Sequence, residues 1–161
     1  MADAFTSLIQ GLSAHLRVQL EIEDGRTVRA DFDGLPLLLE HLPEAEQVLL
    51  AVPIANLPPE GREDIFRELL KAQYLFAETR GAALALDPDE EFVCLQIAPS
   101  TRALTPGNFS ALVENFLNVA ETWRRRLEGS PAAPAGGNSQ GKPAEADAPG
   151  LPPIMAGFEK A

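Results

Sequence analysis

Few side chains in this sequence suit bond-making chemistry, and their spacing speaks against most of it. The two histidines, His15 and His41, form no H-x-x-x-H pair, and no C-x-x-C motif accompanies them. Both are expected to be surface or packing residues. Cys94 is the sole cysteine, so it can form no intrachain disulfide; flanked by Val93 and Leu95, it is expected to act as a small hydrophobe. Asp87, Asp89, Glu90 and Glu91 cluster around Pro88, but they lack the D-x-D-x-D-G-x5-E spacing of a calcium loop and fit a solvated hairpin tip. Arg124, Arg125 and Arg126 are the cations that a helix dipole favours in its last turn. No G-x-S-x-G, phosphate-cradling glycine loop or dinucleotide fingerprint occurs. Neither enzyme activity, nor a cofactor, nor a metal is expected.

The 161 residues carry 13 basic and 24 acidic side chains, a net charge of -11. Nucleic-acid affinity comes mainly from clustered Lys and Arg, so this balance argues against a phosphate-neutralising surface. The longest apolar stretch, Val48 to Ala55, includes Pro53 and falls far short of the roughly 20 residues of a spanning helix, so no membrane insertion is expected. No basic segment followed by an apolar run stands at the start, which leads to an expectation of a cytoplasmic protein.

Composition shifts after Glu128, where Gly129-Ser130-Pro131 opens an Ala-, Pro- and Gly-rich stretch without a large apolar residue until Leu151. Such a segment cannot offset its ordering entropy. A folded domain over 1–128 and a flexible tail over 129–161 follow. In the domain, Phe5, Leu8, Ile9, Leu12 and Leu16 form one helical stripe. Val18, Leu20 and Ile22, then Val28, Ala30 and Phe32, alternate with polar residues around Asp24-Gly25, which predicts a hairpin pairing Ile22 with Val28 and Val18 with Phe32. Leu35–Leu39 and Gln47–Ile54 predict further strands, the latter ending near Pro53. A second helix is expected to open at Pro58-Pro59 and run to Tyr74, with a second hairpin over Ala82–Leu86 and Phe92–Ile97. Phe109, Val113, Phe116, Ala120, Trp123 and Leu127 mark a long last helix starting at Thr105-Pro106. This order predicts an α+β domain: an antiparallel twisted sheet of about five strands, with three helices on one side.

Three short stretches give the body a family likeness: Arg67-Glu68-Leu69-Leu70-Lys71-Ala72-Gln73, Thr79-Arg80-Gly81-Ala82-Ala83-Leu84-Ala85-Leu86-Asp87 and Phe116-Leu117-Asn118-Val119-Ala120-Glu121-Thr122-Trp123-Arg124. In their order and spacing, residues 5–128 resemble the class I type III secretion chaperones, the Tir-chaperone family. Gln73 stands where the family commonly has Asn, Arg80 where it has a second Gly, and the tail is longer than usual. The resemblance implies a cytoplasmic homodimer that binds the N-terminal segment of a secreted effector as an extended peptide and presents it to the export apparatus without hydrolysing ATP. It assigns peptide contact to Leu8, Ile9, Leu12, Leu37, Leu39 and Leu49. It assigns the dimer interface to Ile65, Phe66, Leu69, Leu70, Leu84 and Leu86. The competing expectation is a protein-binding module of the same fold unconnected to secretion. The patch Leu151-Pro152-Pro153-Ile154-Met155-Ala156-Gly157-Phe158 in the tail is either a plain terminus or a placeholder for a groove of its own or the sister subunit.

Overall fold

The computed structural model describes residues 4–129; the tail beyond them, with its Leu151–Phe158 patch, lies outside the described residues. The chain runs α1 (Ala4–Leu16), β1 (Thr27–Phe32), β2 (Leu35–Leu42), β3 (Gln47–Asn56), α2 (Arg62–Gln73), β4 (Ala83–Leu86), β5 (Phe92–Ile97) and α3 (Pro106–Glu128), with short 3-10 turns between. The five strands form one antiparallel sheet in the order β1-β2-β3-β5-β4, so β5 lies between β3 and β4. This is the predicted α+β architecture.

Alternation decides which face of the sheet is covered. Val28, Leu37, Leu39, Val48, Leu50, Val52, Val93 and Leu95 share the inner face and are buried. Phe5, Leu8, Ile9 and Leu12 of α1, with Phe109, Val113, Phe116, Ala120 and Trp123 of α3, complete that core. The apolar seam read from the sequence of α3 is therefore the one it buries. Its start is fixed by a capping box: Asn108 N donates to Thr105 Oγ1 at 3.3 Å, and Thr105 N donates to Asn108 Oδ1 at 2.7 Å. Where α1 crosses α3, a methyl group on Gly11 would come within 2.5 Å of Pro106 Cβ. The glycine is what permits the approach.

The sheet departs from the sequence-based expectation in two places. Residues 18–22 form no strand, and the predicted pairing with 28–32 is replaced by a single bridge between Glu23 and Thr27. The cause is a tie to α1. Arg17 turns the chain in the left-handed region (φ 56°), Val18 N donates to Ser13 O at 3.2 Å, and Leu20 N donates to Ser13 Oγ at 3.0 Å. Leu20 and Ile22 then pack against the core from a loop. The hairpin partner of β1 is instead β2, in the register Val28–Leu39 and Ala30–Leu37. In the second place, β3 does not end at Pro53: a bulge between Pro53 and Ala55 leaves the proline facing outward and lets pairing with β5 continue to Asn56. A bulge is where an inner strand tolerates a residue without an N–H. The second helix also begins later than expected: Pro58 and Pro59 lie before α2, which opens at Arg62 because Gly61, in the left-handed region at φ 73°, is its N-cap.

Candidate functional site: an apolar helix ridge and an open strand edge

The chemically capable side chains all hold the scaffold. His15 Nε2 lies 2.9 Å from Glu114 Oε1 at the surface, and the His41 ring stacks on Phe5 with centroids 5.1 Å apart. Burial pushes the Cys94 thiol up from its ordinary value, which disfavours the thiolate. Asp87 ties the hairpin between β4 and β5: Oδ1 accepts from Phe92 N at 2.7 Å and Glu91 N at 2.6 Å, and Oδ2 from Asp89 N at 3.1 Å. The hydrogen bond from Phe92 leads the causes that hold its carboxyl below the usual range. Arg126 stacks over Trp123, 4.5 Å from the ring centroid, and reaches Glu68 on α2 and Glu78 Oε2, the latter at 2.6 Å. Arg126 thus fastens the end of α3 to α2 and the segment after it, while Arg124 and Arg125 pair with Glu121 within α3.

The residues assigned to peptide contact fall into two groups. Leu8, Ile9, Leu12, Leu37 and Leu39 lie in the chain's own core beneath α1 and α3, none more than 3 % exposed. Leu49 is half-buried on the outer face of the sheet, where it pairs with Glu40 and neighbours Leu38. Of the residues assigned to the dimer, Leu69 faces the core at 6 % exposure, whereas Ile65, Phe66, Leu84 and Leu86 are half-buried and Leu70 stands 73 % exposed. Leu70 does not stand alone. Tyr74, Leu75 and Phe76 continue from it at 62 %, 60 % and 49 % exposure. Leu75 and Phe76 sit consecutively in the left-handed region, at φ 55° and 54°, a conformation that costs bulky residues energy and turns both side chains out of the fold. Beside them Phe66, Leu70 and Tyr74 line an open depression of about 780 Å³ rimmed by Glu63, Arg67 and Lys71. Helical periodicity breaks at Gln73 and so does not reach Tyr74–Phe76; the run of three large apolar residues after a helix is the signal the sequence offers.

The two edges of the sheet differ. At β4, the Gln73 side chain acts as a one-residue strand: Nε2 donates to Ala82 O at 3.2 Å, and Oε1 accepts from Leu84 N at 2.7 Å. That edge is capped. At the other side β1 pairs with β2 and, beyond the Glu23–Thr27 bridge, has no second strand among the described residues. Next to it Arg29, Ala30, Asp31, Pro36, Leu37 and Leu38 line a depression of about 410 Å³. An unpaired strand beside an apolar hollow can accept the backbone of an extended segment and alternate side chains from it.

Comparison with known proteins bears on the family and the fold. A model of the Tir chaperone protein (CesT) family matches residues 7–124. Among solved structures, a chain of the ExsC–ExsE complex superposes with a TM-score of 0.64 at 24 % identity, covering 74 % of this chain and 90 % of that one. A chain of the HopA1–SchA chaperone–effector complex gives 0.62 at 18 %, covering 76 % and 94 %. The heterodimeric ExoU–SpcU complex of the Pseudomonas aeruginosa type III secretion system gives 0.57 at 17 %, covering 73 % and 92 %. These likenesses are of fold. No curated protein sequence matches the chain.

Proposed function

The chain belongs to the Tir chaperone protein (CesT) family, and from that premise we propose that it is a cytoplasmic chaperone of a bacterial type III secretion system. It binds the N-terminal segment of a secreted effector in extended form, keeps it competent for export and presents it to the export apparatus, without catalysis. The observation that carries the reading is the family match along residues 7–124, which spans every strand of the sheet, all of α2 and most of α1 and α3. The fold it shares with chains from chaperone–effector complexes supports it. Among the described residues, no helix is long and apolar enough to cross a membrane.

Two surfaces would do the work. A homodimer forms about the ridge of Phe66, Leu70 and Tyr74, extended by Leu75 and Phe76; a two-fold contact between identical ridges covers each with the other. The client segment adds to the edge of β1 and sets side chains into the hollow beside Pro36 and Leu38, with Leu49 further along the same outer face. Leu8, Ile9, Leu12, Leu37 and Leu39 would act from beneath, as the packed floor that holds this face rigid. Purification from a bacterium carrying the secretion system, followed by light scattering and identification of the co-eluting chain, tests the proposal. Two copies of this protein holding one effector through its N-terminal region is the expected result. A monomer without a polypeptide partner would overturn it, and a dimer carrying a partner that is not secreted would favour a binding module outside export.

A further inference from the structure

A further groove opens where α3 leaves the β4–β5 end of the sheet incompletely covered. It measures about 410 Å³; Leu112, Phe116 and Val119 of α3 and Ile97 of β5 give it apolar walls, and Arg80 stands at its rim. Thr79 also lines it. That side chain is 1 % exposed, and its Oγ1 has no hydrogen-bond partner among the described residues. A buried hydroxyl without a partner is unfavourable and points to a polar group still to arrive.

We propose that the groove is filled by residues 151–158 of the same chain. The first argument is length. The α3 residues of the groove centre about 15 positions before Gly129, which at 1.5 Å per residue is roughly 23 Å along the helix. A coil of 21 residues, the length of 130–150, spans roughly 25 Å by root mean square. Effective concentration is highest when span and distance agree, and for short connectors it reaches about the millimolar range. The second argument is chemistry. Residues 130–150 contain no Leu, Ile, Val, Met or aromatic residue, whereas Leu151, Ile154, Met155 and Phe158 follow as four large apolar side chains within eight residues, the kind of anchors an apolar groove accepts. Gly157 allows backbone to approach Thr79, and Glu159 follows as a counterpart to Arg80, whose hydrogen bond to Asn115 is 3.5 Å long. Docking in this way does not depend on the chaperone reading.

The test is amide NMR on the full chain beside the full-length double variant Ile154→Asp with Phe158→Asp. The expected difference is a set of shifts confined to Thr79, Arg80, Ala82 and residues 111–119, equal at low and high protein concentration. Charges placed in an apolar groove should lower the docked fraction at least about tenfold. In a second variant, Ala111→Glu alters an exposed groove residue, so the fold should be kept while residues 151–158 take on the sharp signals of a free segment. No difference between the chains, or differences centred on Leu70–Phe76, would overturn the proposal. So would shifts that grow with concentration, or that vanish in the monomeric Leu70→Asp chain, either of which would place the segment on a second copy. Failure here would leave client binding untouched, and loss of client binding would leave these shifts in place.

Discussion

Gly11 and Asp87 show how single residues set the tolerance of this fold. A glycine inside a helix ordinarily costs about 1 kcal/mol relative to alanine, so Gly11→Ala would stabilise an isolated α1. Against Pro106, at the 2.5 Å a methyl group would meet, the sign reverses. Overpacking of this kind costs roughly 1–3 kcal/mol, and thermal denaturation of the variant should show a net loss. At Asp87 the relevant variable is pH. Its folded-state carboxyl sits below the ordinary value, chiefly because Phe92 N donates to it. The stability it contributes is complete above the ordinary aspartate range near 4 and falls away as pH drops through the lower folded value. Urea midpoints measured from pH 6 downward should therefore fall more steeply for the native chain than for Asp87→Ala. Residue type alone marked Asp87 as part of a hairpin tip; that one carboxylate gathers three amides is a matter of turn geometry, which composition does not encode.

At the level of elements, Gln73 joins α2 to the sheet. Gln73→Ala removes both hydrogen bonds to the β4 edge, which should cost about 1–3 kcal/mol and speed hydrogen exchange at the Leu84 amide more than at Leu95. α1, α3 and β5 are legible in the sequence because each buries one face, and burying one face imposes a period; β4, half-buried throughout, is legible from the turn that joins it to β5. Residues 18–22 carry the same alternation as a strand and yet form a loop, because the ties to Ser13 and the left-handed Arg17 are three-dimensional facts about α1. The candidate surfaces are less legible in the sequence for a related reason. Periodicity identifies an apolar stripe, but it does not say whether the chain covers that stripe itself. Leu8 and Leu12 look like Leu70 in the sequence; α3 covers the first two, and nothing in the described chain covers the third.

For the molecule as a whole, the exposed ridge sets the expected assembly. Leu70→Asp replaces a residue that is 73 % exposed in the single chain, so the fold should survive. Light scattering should then report a monomer with an unchanged circular dichroism spectrum, and a variant that stayed dimeric would move the interface elsewhere. Two copies would each bring a charge of -11, a field that favours basic clients and weakens as salt screens it. Finally, the place of β5 between β3 and β4 fixes an order of events at the ribosome. The first three strands are complete at Asn56, but the strand that closes the free side of β3 ends at Ile97, some 40 residues later. At about 5–20 residues per second that interval lasts roughly 2–8 s. For that time the nascent chain displays an unpaired, Leu- and Val-rich strand, so the protein itself passes through a stage in which it needs shielding.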